Sequence, residues 1–160
     1  MFTIRTARQA DAEEISALVA HHVPEGTLLP RSPEFVRERA MEFVVAEDDS
    51  GLIGCAHLDE YAPSLAEVRS LAVHPSAQGR GVGVALVQAL ERLARRRRYT
   101  TLFAVSNRDS FFLSRGFMPR HIPELDRERS EVSKFKGVFA KDLGDEERQA
   151  AAAFPAGESA

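Results

Sequence analysis

Tryptophan is missing from this 160-residue chain, and cysteine occurs once, as Cys55. A lone cysteine excludes an intrachain disulfide and fits a reducing compartment. No apolar run approaches the roughly 18–20 residues of a membrane span. Met1–Arg5 leads straight into charged sequence, with no secretory leader pattern. The reading is therefore a cytoplasmic protein that makes no use of a membrane. An excess of positive charge is also missing. The net charge is -3, and Asp145, Glu146, Glu147 and Glu158 against Arg148 place all of it after residue 143. Residues 1–143 are neutral, whereas a polyanion needs a basic face, so nucleic acid is not an expected partner. The histidines (His21, His22, His57, His74, His121) follow no metal-site spacing, and no metal is expected.

The chain is 44% hydrophobic and 28% charged, which suits one soluble domain with a sizeable core. Strands are expected at Phe2–Arg5, Phe43–Glu47, Leu52–Leu58, Glu67–His74, Thr101–Val105 and Lys134–Leu143. Asp48-Asp49-Ser50-Gly51 predicts a hairpin turn. Helices are expected at Ala10–His22 with Asp11 as cap, Pro33–Arg39 with Ser32 as cap, Arg80–Arg97, and Asp109–Arg115 ending at Gly116. Alternation slips at Ser70-Leu71-Ala72, the mark of a β-bulge. The order predicts an α/β (α+β) domain on a mixed sheet over residues 1–143. An acidic, Ala-rich tail, 144–160, is expected to be flexible. Cys55 reads as core packing. The run Arg95–Arg98 reads as cations favoured at a helix C-terminus.

Between the strand ending at His74 and the longest helix lies Gln78-Gly79-Arg80-Gly81-Val82-Gly83, with three of the ten glycines. A glycine loop opening a helix suits an anion, because free N–H groups and the helix dipole meet there. It lacks the Gly-Lys-Ser/Thr of a P-loop. Its G-x-G-x-G spacing also misses the dinucleotide fingerprint, and no acid stands about 20 residues on. On the loop alone, an anion cradle and a turn that binds nothing fit equally well.

The context of the loop resembles a known superfamily. Gln78-x-x-Gly81-x-Gly83 after Leu71-Ala72-Val73-His74-Pro75, with Phe111-Phe112-Leu113-Ser114-Arg115-Gly116-Phe117 downstream, looks like motifs A and B of the GCN5-related N-acetyltransferases (GNAT). Leu28-Leu29-Pro30-Arg31-Ser32, Ile53-Gly54-Cys55-Ala56, Glu67-x-x-x-Leu71-Ala72-Val73 and Ser133-Lys134 are similar to the acetyltransferase domain of N-acetylglutamate synthases. The resemblance implies a mostly antiparallel sheet of about six to seven strands, splayed at an acetyl-CoA site and flanked by about four helices. It also implies a homodimer. Acetyl-CoA would lie along Leu71, Ala72 and Val73, with its pyrophosphate on Gln78, Gly79, Arg80, Gly81, Val82, Gly83 and Val84, and with Asn107 and Phe112 nearby. The acceptor implied is an amino acid, L-glutamate first, as in arginine biosynthesis.

The residue types suit that chemistry. An amine must lose a proton before it attacks a thioester, and Glu67 is the candidate base. Without the resemblance, Glu67 reads as an exposed strand-edge acid. The Val73 N–H would hold the oxyanion. Ser110, or Ser106, is the candidate acid for the leaving thiolate, a group that also departs unaided. Arg31, with Leu29 beside it, and Arg69 are candidates for the acceptor's carboxylates, against a reading as solvated surface arginines. Ser133 and Lys134 complete the expected acceptor site. Where the family often carries an arginine two residues before that serine, this chain has Glu131, with Arg129 two residues further back. Two rival functions stand: a GNAT acting on another amine such as a peptide N-terminus, and a CoA-binding module without turnover.

Overall fold

The computed structural model describes residues 1–26, 28–126 and 136–144. Along the chain run β1 (Thr3–Thr6), α1 (Ala12–His22), α2 (Pro33–Glu38), β2 (Phe43–Asp48), β3 (Gly51–Ala62), β4 (Leu65–Val73), α3 (Val82–Arg96), β5 (Thr101–Ser106), α4 (Asp109–Ser114), β6 (Met118–Pro119) and β7 (Gly137–Asp142). The strands form one sheet in the order β1-β2-β3-β4-β5-β7-β6. Every pairing is antiparallel except β4–β5, which the α3 crossover makes parallel.

Local chemistry explains most boundaries. Asp48 Oδ1 accepts from Ser50 N at 2.8 Å and from Ser50 Oγ at 2.6 Å, closing the β2–β3 turn. Ser32 Oγ accepts from Phe35 N at 3.1 Å and caps α2, with Pro33 in its first turn. Asp11 does not cap α1 with its side chain. Its carboxylate instead accepts from Arg8 N at 2.7 Å and from Arg5 Nη1 at 2.7 Å. β3 runs four residues beyond the expected Leu58, because Asp59, Glu60 and Ala62 still pair with β4, with Tyr61 skipped at a second register shift. β6 was not expected at all: two residues, one of them proline, leave no alternation to read. The expected tail from Asp145 onward lies outside the described residues.

Helices cover both faces of the sheet. Val82, Leu86, Leu90 and Leu93 of α3 pack on Ile53, Leu58, Val68 and Leu102. On the opposite face Ile15, Leu18 and Val19 of α1 and Val36 of α2 meet Phe43, Val45, Cys55 and Ala72. Each fully buried Leu or Val contributes about 1.5–3 kcal/mol. Cys55 is completely buried, and desolvation pushes its thiol up to about 12, so it is packing and not a nucleophile. Arg97 donates from Nη2 to the carbonyl of Met41 at 2.6 Å, tying the end of the arginine run to the domain.

Gly54 marks the closest approach of α3 to the sheet. A Cβ there would stand 2.9 Å from both Leu86 Cδ1 and Val82 Cγ1. Gly54→Ala is expected to lower unfolding free energy by about 1–3 kcal/mol through overpacking, read by urea denaturation. An unchanged midpoint would show that α3 yields.

Candidate active site

Three features of β4 open a cleft. First, β4 pairs with β5 only from Leu65↔Thr101 to Glu67↔Phe103, after which the two strands part. Second, the expected bulge is present: Cys55 faces Ala72 and His57 faces Arg69, so Ser70 and Leu71 together oppose Ala56, and Ser70 has φ 52°. Third, His74 N donates to Ile53 O at 2.8 Å, and strand alternation therefore turns the N–H and C=O of Val73 toward the opening. The Val73 carbonyl accepts from His22 Nε2 at 2.9 Å and from Gln78 Nε2 at 3.5 Å. A carbonyl only accepts, so His22 carries a proton on Nε2.

The cleft measures about 770 Å³. One wall is the glycine loop and the first turn of α3. Gly81 is left-handed at φ 80°, a geometry costing a side-chain-bearing residue about 1–2 kcal/mol, and it stands as N-cap of α3. The helix's first backbone acceptor is used by Ala85 N, which donates to Gly81 O at 3.1 Å. The N–H groups of Val82, Gly83 and Val84 precede that bond and have no intrahelical acceptor, so they are available to an anion.

The structure brings most of the expected site residues together. Leu29, Arg31, Glu67, Arg69, Leu71, Val73, Gln78, Gly79, Gly81, Val82, Gly83, Val84, Asn107 and Phe112 all line the cleft. Three expected residues lie elsewhere. Ala72 points its side chain into the core under α1. Arg80 turns away, with Nη1 3.2 Å from Asp48 Oδ2. Ser110 is exposed on the first turn of α4, outside the cleft wall, whereas Ser106 at the end of β5 is part of it. Ser133 and Lys134, with Glu131 and Arg129, fall outside the described residues. The sequence reading missed Tyr61, His22 and Leu125, which also line the cleft. Tyr61 packs edge-on to Phe103 and donates to the carbonyl of Glu124 at 3.0 Å, holding the 123–125 turn over the site. A tyrosine three residues past an apolar run carries no signal of that kind.

The electrostatics concentrate on Glu67, whose side chain is 12% exposed. Burial pushes its carboxyl up to about 7; Asp59 adds to the rise, and the Arg69 and Arg31 charges oppose it. Arg69 Nε lies 3.6 Å from Glu67 Oε2, and Arg69 Nη1 lies 3.2 Å from Asp59 Oδ2. Arg31 is held with its Cζ 5.0 Å from the Phe35 ring centroid, and its buried Nε has no hydrogen-bond partner among the described residues. Burial, then the charge of Arg69, disfavours its cationic form, so an anion placed there would be welcome. Below Arg69, the buried His57 stacks on Phe43 at 4.3 Å and places Nε2 3.0 Å from Glu42 Oε1. Desolvation holds His57 below the usual imidazole range. The ligand atoms of Glu42, His57 and Asp59 lie within 4.8 Å of one another, and Arg69 already neutralises Asp59.

The chain is similar to known proteins in both sequence and fold. The profile of the acetyltransferase (GNAT) domain matches residues 39–119. An uncharacterized N-acetyltransferase, CT2212, of Chlorobaculum tepidum is 34% identical over 114 residues, covering 71% of this chain and 74% of that protein. An amino-acid acetyltransferase of Neisseria meningitidis is 35% identical over 137 residues, covering 84% of this chain and 31% of the relative. The chain thus spans about a third of the length of the amino-acid acetyltransferases it matches. Among solved structures, Rv2747 of Mycobacterium tuberculosis in complex with CoA and NLQ superposes with a TM-score of 0.77 at 26% identity, covering 89% of this chain and 99% of that one. N-acetylglutamate synthase of Neisseria gonorrhoeae, complexed with coenzyme A and N-acetyl-glutamate, also gives 0.77, at 31% identity over 90% of this chain and 35% of that one. The family model covers half of the chain and the solved relatives share its fold, and by sequence and structure alike the chain belongs to the GNAT acetyltransferase family.

Proposed function

We propose that this protein moves the acetyl group of acetyl-CoA to the α-amino group of an L-amino acid, L-glutamate first, by direct attack in a ternary complex. One observation carries the reading: a buried carboxyl of raised basicity, Glu67, and a half-buried arginine, Arg31, whose buried Nε has no partner among the described residues, open into the same cleft as the glycine loop. Similar proteins whose solved forms hold CoA, two of them named above, point to the donor.

The residues present fit acetyl-CoA. The amides of Val82, Gly83 and Val84 face the pyrophosphate, and the open edge of β4 at Leu71–Val73 runs along the pantetheine arm. The carboxylate of Glu67 takes a proton from the acceptor's ammonium, and a base near neutral acidity suits that task. The freed amine attacks the thioester carbon. Its carbonyl oxygen gains charge and accepts from the Val73 N–H. The C–S bond then breaks, and the thiolate, leaving toward Ser106 and solvent, takes up the second proton that the attacking nitrogen sheds, which gives the amide and free CoA. Arg31 fixes the acceptor through a carboxylate, by the charge-assisted bidentate geometry a guanidinium offers.

The test is release of CoA from acetyl-CoA in the presence of L-glutamate, L-glutamine, other free amino acids, or peptides with free N-termini. Glutamate-dependent turnover is expected. Turnover on peptides alone would overturn the amino-acid reading, and acetyl-CoA binding without turnover on any acceptor would make the protein a CoA-binding module.

A further inference from the structure

Asp59 stands opposite Glu67 as its Cα partner across β3 and β4. Two carboxylates thus face each other on a half-buried surface, an arrangement that is destabilising unless a cation intervenes. Arg69 supplies it. Its guanidinium reaches Asp59 with Nη1 at 3.2 Å and Glu67 with Nε at 3.6 Å, so one cation is shared by two anions. An arginine committed in this way has little left for a substrate carboxylate. Arg31, by contrast, lies in the same cleft, and its buried Nε has no partner among the described residues.

We infer that Asp59 is a positioning residue of this site: it anchors Arg69 across the two strands, so that Arg69 serves Glu67 and the acceptor's carboxylate falls to Arg31. The acceptor half of this statement rests on the proposed amino-acid acetyltransfer; the Asp59–Arg69–Glu67 half does not. Among the described residues, the charged groups facing Glu67 are Asp59 from β3, Arg69 from β4 and Arg31 from the segment between α1 and α2, with Glu42 and His57 behind Asp59. From β5, the residue opposite Glu67 is the apolar Phe103. Removing the Asp59 charge therefore acts twice in the same direction. The repulsion on Glu67 disappears, and Arg69 is released to pair with Glu67 alone. Both make Glu67 a stronger acid and a weaker base.

The experiment is a carboxyl 13C NMR titration of the full chain, with the Glu67 signal assigned by its loss in Glu67→Gln. In Asp59→Asn the Glu67 midpoint is expected to fall by about one pH unit or more, a tenfold change in its proton affinity. In Asp59→Glu, which keeps the charge, the midpoint is expected to return toward the native value. Arg69→Met gives an independent arm: the midpoint rises, while KM for L-glutamate changes less than about threefold, because the carboxylate is held elsewhere. A Glu67 midpoint unmoved in Asp59→Asn overturns the inference. So does a KM raised about a hundredfold in Arg69→Met, the loss expected where a buried charged partner of substrate is removed. The titration needs no turnover, so an enzyme inactive on glutamate would defeat the proposed acceptor and leave the Asp59 result standing.

Discussion

Glu67→Gln is expected to lower kcat by about 10²–10⁴-fold, the range a positioned general base contributes. The substitution keeps shape and removes the proton acceptor. Acetyl-CoA affinity is expected to stay within about threefold, because the anchors proposed for the donor lie on the α3 terminus and not on Glu67. Stopped-flow kinetics with isothermal titration of acetyl-CoA would separate the two, and weakened donor binding with kcat intact would remove Glu67 from the base role. Because Glu67 must be ionised to act, native kcat/KM is expected to rise with pH and level off above about 7. The same variant should gain stability at high pH. A glutamate with an ordinary value of 4.5 and a folded value of about 7 binds more protons when folded. Native stability therefore falls as pH climbs between those limits, by about 3 kcal/mol for a shift of that size. Glutamine has no proton to lose, so thermal unfolding at pH 8 should favour Glu67→Gln and show no advantage at pH 4.

Arg31→Met is expected to raise KM for the acceptor by about 30- to 1000-fold, equivalent to about 2–4 kcal/mol, with kcat far less affected. Arg31→Lys should recover little of that loss, because a point charge lacks the planar fork that meets a carboxylate with two parallel bonds. The protein itself should become more stable in Arg31→Met, since a half-buried cation whose Nε has no partner among the described residues is replaced by an apolar chain of similar reach. Steady-state kinetics at saturating acetyl-CoA, beside urea unfolding, measures both. An acceptor KM equal to that of the native enzyme would exclude Arg31 from the acceptor site.

The two variants draw on different degrees of legibility. Helix α3 and the loop before it could be read from the chain because their signals are local: a 3.6-residue stripe, clustered glycines and a proline stop. Glu67 and Arg31 could be singled out because short motifs carried them. The partnership of Asp59, Arg69 and Glu67 could not, because it depends on the register of two strands whose count is offset by one residue at Tyr61, beside the turn that joins them. The alternation rule also cut β3 at Leu58, since a polar strand end that faces a site looks like a loop. Tyr61 was lost with it. The expectation for Ser110 failed to reach the cleft for a similar reason. Its position in sequence fits either face of α4, and only packing of Phe112 against Phe117 and Phe139 settles which side is buried.

The bulge at Ser70 and Leu71 also bears on how such a protein changes over generations. Ser70 is the surplus residue of its strand, in a backbone geometry that strands avoid. Loss of its codon would leave Ala66 and Val68 on the α3 side and Ala72 on the α1 side, and every neighbour would find its usual contacts. The ladder with β3 would become regular, and β4 would have less reason to bend away from β5. The molecule one deletion away is thus a better sheet with a narrower mouth. A sheet built for regular pairing alone would have no place for that serine, so the extra residue exchanges an unbroken ladder for an open mouth between the strands.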